Sequence, residues 1–442
     1  MLNSINSNFS AYLVQQNLTT KSQNTSFKGG EVEGRGVECD CDICKSAKAK
    51  ALEQPTVKVA LNGAGRISKN FLREWFLTDL GLGSGVSKVT SLDHVRRVKN
   101  SPAKLEIVAI NDLADVTEEY LKHDSIMGDF PGKLEVKSEG DKKYLYVGEG
   151  AKQRKIRILK EKDATKLPWN ELGVDVVVDG TGKFLSADKL VQHIEAGAKK
   201  AICSAPADED EISKMPLVDR TVVYGVNDNE LKPEDKYISA ASCTTTCAAP
   251  LTKFLNDKFG IDTVLVQTVH SATSTQSTTD KVSDKAKDRN PFDAIFPEKT
   301  GAGKALKHVI PGLGKSADGI AARVPVSDVS LVNLVAYVKQ DVTEEEVKQA
   351  LKEASKSDEY KGLIIPSDKA STSKDMVGRY ESAIYVPEYV KVINKRMVVI
   401  PAYYDNEWGY TRSLTDLTRL AGAQIYKPEV KGQAGNSLKI SA

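Results

Sequence analysis

The stretch Ala241-Ser-Cys-Thr-Thr-Thr-Cys247 places a thiol among hydroxyls, just before an apolar run (Ala248, Ala249, Leu251, Phe254, Leu255) that reads as a helix. A thiol at a helix N-terminus sits at the positive end of the backbone dipole, which favours the thiolate. The N–H groups and hydroxyls around it are donors for an anion or a developing oxyanion. Downstream, His270 ends the strand-like run Thr263-Val-Leu-Val-Gln-Thr-Val269, and the hydroxyl-rich segment 271–279 follows. A Cys and a His brought together from such ends can form a nucleophile–base pair. Each alone also fits an inert role, a core cysteine or a structural histidine. Arg323, on an apolar strand and followed by Val-Pro, is a third candidate, because an inward guanidinium needs an anion.

These groups need elements to position them. Val57, Val59 and Leu61 alternate as a strand that runs into Asn62-Gly-Ala-Gly-Arg-Ile-Ser68, and Phe71, Leu72, Trp75 and Phe76 then follow helical spacing. Gly63-x-Gly65 therefore falls at a strand-to-helix turn, the context of a dinucleotide fingerprint, with Ser68 in the place of its third glycine. The apolar run Leu105-Glu-Ile-Val-Ala-Ile110 predicts a buried parallel strand. It ends in Asn111-Asp112, where a carboxylate would meet an adenosine ribose and repel a 2′-phosphate; helix capping is the plainer use of such an Asp. Val174–Val178 and Ala201–Cys203 predict further strands, with a helix at Lys189–Ala198 between them. The turns after these strands put Thr181 and Ser204 at carboxyl ends, where ligands lie in doubly wound sheets.

Repeated strand–helix alternation predicts an α/β, Rossmann-type doubly wound parallel sheet for a cofactor domain, residues 55–242, with an insertion at 78–103. For 243–405, predicted strands at 319–325, 329–339 and 396–403 and a helix at 344–354 imply an α+β catalytic domain with a mixed or antiparallel sheet. The charged stretch 280–304 is expected to be one long ordered loop. Tyr410, Leu414, Leu417 and Ala421 form the apolar face of a helix, 406–426, expected to return to the first domain before a tail, 427–442.

The 442 residues, 40% hydrophobic and 28% charged, suffice for about two or three domains. A net charge of +2 gives no reason to expect nucleic acid or an acidic membrane as partner, and no run approaches the roughly 18 apolar residues of a membrane span. The six cysteines are too unevenly placed for a disulfide scaffold, which favours a reducing compartment, the cytoplasm. Residues 1–54, Ser/Asn/Thr-rich at first, read as a disordered extension; an organellar import role is a further possibility. Within it Cys39, Cys41 and Cys44 make a thiol cluster, but a closed zinc site needs a fourth ligand, and no metal is expected in the site.

The order of motifs resembles the phosphorylating glyceraldehyde-3-phosphate dehydrogenase family over about residues 57–424. The matching blocks are Asn62–Ile67, Ala109–Asp112, Ala241–Cys247, Thr268–Gln276, Lys299–Gly301, Arg323–Pro325 and Tyr404-Asp-Asn-Glu-Trp-Gly-Tyr410. The resemblance implies Cys243 as nucleophile, through a hemithioacetal and a thioester, and His270 as base. It implies Thr273, Thr275 and Arg323 around the substrate phosphate. Ser242, Thr244, Arg289, Thr300 and Gly301 would surround the attacking phosphate, Arg289 being placed by counting back from Thr300. Asn406 would fix the nicotinamide, and Gly63, Gly65, Arg66, Ile67 and Asp112 would hold the dinucleotide, with NAD favoured over NADP. Glyceraldehyde 3-phosphate and inorganic phosphate are the implied substrates, and a homotetramer the implied assembly. Thr246, Ala64 and Ser68 depart from the family's usual Asn, aromatic and glycine, and 280–298 runs about two residues short. Two other readings stay open at this point: an erythrose-4-phosphate dehydrogenase, and a redox-sensing or binding protein on the same scaffold.

Overall fold

The alternation at Val57, Val59 and Leu61 becomes β1 (Thr56–Asn62), in the interior of a nine-stranded sheet. The computed structural model describes residues 54–80, 101–210, 213, 215–274, 276–313 and 316–426; the Cys39/Cys41/Cys44 cluster, most of the 78–103 stretch, Thr275 and the 427–442 tail lie outside these. From β1 the chain enters α1 (Arg66–Thr78), whose Phe71, Leu72, Trp75 and Phe76 are fully buried. It returns as β2 (Lys104–Asn111), which pairs parallel with β1. After α2 (Glu118–Lys122) the strands β3 (Leu134–Glu139), β4 (Lys142–Val147) and β5 (Arg154–Leu159) form an antiparallel meander. The helix α3 (Trp169–Leu172) leads to β6 (Val176–Asp179), followed by α4 (Ala187–Glu195), β7 (Lys200–Cys203), β8 (Arg220–Thr221) and β9 (Tyr237–Ser239).

The strand order is β3-β4-β5-β2-β1-β6-β7-β9-β8. The chain builds outward from β1 on one side and then restarts on the other at β6. The crevice beyond the carboxyl ends of β1 and β6 is thus the switch point where doubly wound sheets bind ligands.

The helix α5 (Cys243–Phe259) leads to a second, mixed sheet. Its strands are β10 (Ile261–His270), β11 (Phe296–Lys299), β12 (Ala317–Arg323), β13 (Ser330–Val338), β14 (Ile364–Pro366), β15 (Ala383–Tyr385), β16 (Lys391–Ile393) and β17 (Met397–Tyr404). The order is β11-β12-β10-β13-β17-β15-β14, with β16 added beside β17. On β13, Val332, Leu334, Ala336 and Val338 are fully buried with Val398, Ile400 and Ala402 of β17, against Leu251 and Leu255 of α5. Replacing one such leucine by alanine costs about 2–5 kcal/mol. The opposite face leaves Leu265, Ile320 and Tyr337 exposed, the period-two pattern of a sheet buried on one side.

The expected loop 280–304 is shorter than that. It contains β11 and the start of α6 (Ala302–Val309), which packs on β12. That helix depends on a close approach: a Cβ on Gly303 would lie 2.1 Å from the backbone of Asp318. The helix α7 (Glu344–Ala354) carries a full capping box, with the Thr343 side chain and Glu346 satisfying each other's backbone N–H. The last helix, α8 (Trp408–Ile425), packs against α1 and the first sheet. Among the described residues no helix is long and apolar enough to cross a membrane.

Candidate active site

Strand register gathers the chemistry. The strands β10 and β12 are parallel, and their last residues, His270 and Arg323, stand side by side. The first residue of β13, Ser330, stands opposite the last of β17, Tyr404. One end of the second sheet therefore presents His270, Arg323, Ser330 and Tyr404 together, and a slip of one residue would turn them to the other face.

The thiol comes from the other direction. After β9 the non-glycine Ala241 adopts φ +55°, a left-handed turn that costs about 1–2 kcal/mol. Ser242 then caps α5, its Oγ accepting the Thr245 N–H at 3.1 Å, and Cys243 is the first helical residue. Cys243 packs against the hydrophobic cores of both sheets. Its Sγ lies 3.4 Å from His270 Nε2. The imidazole is edge-on to Tyr404, whose hydroxyl bonds those of Thr244 at 2.8 Å and Thr268 at 2.9 Å.

Burial decides the charge state here. Cys243 keeps part of its surface, yet burial of the sulfur pushes the thiol up to about 11, against hydrogen bonds from Thr244 and the charge of Arg323. The helix N-terminus expected to favour thiolate is thus outweighed by desolvation. His270 is lowered to about 4 by burial and then by Arg323, while its bond to Ser271 and the charge of Glu298 oppose the shift. His270 Nδ1 is 2.7 Å from Arg323 Nη1 and 2.8 Å from the Ser271 carbonyl oxygen. A guanidinium can only donate, so while it holds Nδ1 the proton sits on Nε2, facing sulfur. With Nδ1–H donated to Ser271 instead, Nε2 presents the lone pair that a base requires.

Asn406 is 6% exposed, and its Oδ1 accepts from Ser271 Oγ at 2.9 Å and Ser330 Oγ at 2.8 Å. With Oδ1 held by these two hydroxyls, the NH₂ group of the amide points away from them. Ser330 itself follows Val329, which holds φ +66°, a rare conformation for a β-branched residue.

The anion candidates divide. Arg323 reaches the centre, with Nε donating to Glu298 Oε2 at 2.5 Å. Gly301 caps α6, and with Ala305 it lines a pocket of about 150 Å³ shared with Ala241. Thr300 Oγ1 accepts from Ala302 N at 3.2 Å in that cap. Ser242 is engaged as the α5 cap and Thr244 with Tyr404. Thr273 folds onto Gln276, whose Oε1 takes its N–H at 2.9 Å. Arg289 is not brought in: its side chain is 75% exposed and faces Asp280 at 3.8 Å.

At the switch point, Asn62, Gly63, Gly65, Asp112, Gly180 and Thr181 line a cleft of about 590 Å³. Gly63 has φ +91°, and a Cβ there would come within about 3 Å of Thr181 and Gly180. Asp112 accepts from Ala64 N at 2.6 Å and Ala114 N at 2.8 Å, which holds its carboxylate at the lip. Thr181 donates to the buried Asp179, which also takes the Asn62 amide at 2.6 Å. Ser68 presses close to Gly180: a Cβ on Gly180 would meet its Oγ at 2.6 Å. Ile67 packs on the first core, and Ser204 N–H bonds the Asp179 carbonyl. Arg66 points elsewhere, pairing with Glu407 and Asp124. Burial alone would lower its pKa, but Glu407 and Asp124 raise it. It therefore ties α1 to the start of α8.

Residues 57–187 match the family model "Glyceraldehyde 3-phosphate dehydrogenase, NAD binding domain", and 242–406 match "Glyceraldehyde 3-phosphate dehydrogenase, C-terminal domain". "Glyceraldehyde-3-phosphate dehydrogenase 2" of Bacillus subtilis (strain 168) is 37% identical over 84% of this chain and 98% of its own length. The chain belongs to the glyceraldehyde-3-phosphate dehydrogenase family. The Streptomyces coelicolor "Glyceraldehyde-3-phosphate dehydrogenase" is 37% identical, covering 84% of this chain and 100% of the relative. The plasmid-borne form of Cupriavidus necator is 40% identical, covering 82% and 97%. As a member of the glyceraldehyde-3-phosphate dehydrogenase family the chain is an NAD-dependent oxidoreductase, and the switch-point cleft lies in its NAD-binding domain. Four residues of this dehydrogenase centre escape sequence reasoning: Ser271, Glu298, Ser330 and Tyr404. Glu298, Ser330 and Tyr404 reach the centre through strand pairing, whereas Ser271 is simply the residue after His270.

Proposed function

We propose that the chain oxidises glyceraldehyde 3-phosphate to 1,3-bisphosphoglycerate, with Cys243 as nucleophile and His270 as base. The observation that carries this is the 3.4 Å approach of Cys243 Sγ to His270 Nε2 at a helix start. The cleft fits a dinucleotide: its glycine turn leaves room where a Cβ would intrude, and Asp112 offers a ribose partner that disfavours a 2′-phosphate. NAD, when bound, accepts the hydride of the aldehyde carbon.

The chain's own groups do the rest. The Cys243 sulfur adds to the carbonyl carbon, and the oxygen of the hemithioacetal is bonded by the Cys243 N–H and by His270. His270 takes the hydroxyl proton as the hydride departs, leaving a thioester on Cys243. An oxygen of inorganic phosphate then attacks the acyl carbon; the acyl phosphate leaves, and the electron pair of the C–S bond returns to sulfur. Thr273, Thr275 and Arg323 receive the ester phosphate. Ser242, Thr244, Thr300 and Gly301 receive the attacking one, with Arg289 reaching them only if its loop turns inward. Asn406, aimed by Ser271 and Ser330, orients the carboxamide of the nicotinamide. Gly63, Gly65, Ile67, Thr181 and Ser204 line the dinucleotide path, and Arg66 braces it.

The division into a cofactor segment 55–242, a catalytic segment 243–405 and a returning helix 406–426 belongs to the same proposal, supported by the two sheets and by the packing of α8. So do a cytoplasmic setting and a homotetramer, for which the exposed Leu265, Ile320 and Tyr337 supply a sheet face. NADH formation from glyceraldehyde 3-phosphate, with and without phosphate, tests the function. Turnover that ignores phosphate, or that survives Cys243→Ser, refutes it.

A further inference from the structure

The strand β11 forms the edge of the second sheet and pairs antiparallel with β12, Phe296 opposite Arg323 and Glu298 opposite Ala321. Residues two apart share a face, so Glu298 lies one diagonal step from Arg323, on the side its guanidinium occupies. The contact is direct: Arg323 Nε donates to Glu298 Oε2 at 2.5 Å, with the two side chains 15% and 26% exposed. The other end of the same guanidinium is 2.7 Å from His270 Nδ1 and 3.1 Å from the Ser271 carbonyl oxygen, both through Nη1.

A guanidinium binds a tetrahedral oxyanion best through a two-pronged edge, either Nε with Nη2 or Nη1 with Nη2. Here Glu298 takes one prong of the first edge, and His270 with Ser271 takes one prong of the second. An arriving phosphate meets no intact fork, and it meets a carboxylate of its own charge sign beside the cation.

We propose that Glu298 is a specificity-determining residue, an internal competitor that lowers the affinity of the Arg323 site for phosphate. This rests on the reading above that Arg323 receives a phosphate. The chemistry is that of any tetrahedral oxyanion, whether the ester phosphate of the aldehyde or free phosphate. Phosphate binding requires Glu298 to release Nε, and the released Arg323 also leaves His270 Nδ1. Occupancy of the anion site and the protonation pattern of the base are thereby tied together through one side chain.

The test compares the full-length wild-type chain with E298Q and E298D. Glutamine keeps the size and an acceptor oxygen but removes the charge. Calorimetric titration with inorganic phosphate, in the presence of NAD, is expected to show binding about five-fold tighter in E298Q, the scale of one partly exposed ion pair. In steady-state assays the KM for glyceraldehyde 3-phosphate or for inorganic phosphate falls by a similar factor, and which of them falls identifies the anion that Arg323 takes. The KM for NAD stays constant. Phosphate binding unchanged or weakened in E298Q, with NAD binding intact, overturns the proposal and leaves Glu298 as a mere brace. If E298Q loses NAD binding, E298D must show the gain, since its shorter side chain withdraws from Nε; no gain there overturns the proposal equally. A wild-type chain without dehydrogenase turnover would refute the proposed function, yet the calorimetric comparison would still read the competition.

Discussion

Replacing His270 by glutamine tests the pair at the centre of the site. The Cys243 thiol, pushed up to about 11 mainly by burial, is almost wholly protonated at neutral pH. At pH 7.5 the thiolate fraction is on the order of one in 10³ to 10⁴. His270 Nε2, 3.4 Å from the sulfur, can donate to that thiolate. A hydrogen bond to a charged group contributes about 1.5–3 kcal/mol, and one pKa unit corresponds to about 1.4 kcal/mol. Loss of the donor should therefore raise the thiol by about one to two units. Only thiolate reacts with an alkylating agent, so a higher pKa lowers the rate at every pH below the inflection and moves the inflection upward. Iodoacetamide labelling of Cys243 from pH 6 to 10, followed by peptide mapping, should be about 10- to 100-fold slower in His270→Gln at pH 7.5. Mapping separates Cys243 from the thiols of the first 54 residues, while the buried Cys203 and Cys247 serve as unreactive controls. The kcat should fall by about 10²–10⁴ through loss of the base. Equal alkylation profiles would refute the hydrogen bond, and faster alkylation would mean that a lone pair, not a proton, faces the sulfur.

Ser330→Ala removes one of the two donors on Asn406 Oδ1 and should raise the KM for NAD about five-fold with the fold unchanged; a KM identical to wild type would free Asn406 from that support. Gly63→Ala, strained at φ +91° and crowded by Thr181, should cost about 1–2 kcal/mol in urea unfolding and weaken NAD binding; unchanged affinity would argue that the turn does not line the cofactor. Asp328 is buried, and burial, then Asp405 and Glu407, raise its pKa well above the carboxylate range, against the opposing backbone N–H of Val329. A raised acid is fully accommodated below its unfolded pKa and loses stability as pH climbs toward the folded value, so Asp328→Asn should raise Tm at pH 8 more than at pH 5; equal shifts would contradict the assignment.

The local patterns of the chain were readable where one strong periodicity met one turn signal. The alternation into Gly63-x-Gly65, the apolar run behind Cys243 and the face of 344–354 all have that form, and each element stands within a few residues of its expected place. The meander of β3–β5 has a weaker pattern, because Lys and Glu occupy much of its exposed surface. Short α6 carries Gly303, a poor helix former, and is held by its approach to β12, which no local propensity encodes. Arg289 was placed by spacing from Thr300, and spacing cannot say whether a loop turns in or out. The contacts of Glu298, Ser330 and Tyr404 depend on which strand lies beside which. That is a property of pairing between segments far apart in the chain, not of any window of sequence.

The brace between Arg66 and Glu407 joins residues 341 positions apart. Asn406 is not placed until α8 has docked on α1, so the first sheet must wait, with the face that α8 covers exposed, while the entire second sheet is made. From the end of β9 at Ser239 to the end of α8 at Ile425, synthesis at about 5–20 residues per second takes on the order of 10–40 seconds. The site is thus assembled at the close of folding from segments of high sequence separation, which makes α8 the point at which chaperones, proteases or a destabilising mutation decide how much active enzyme a cell obtains.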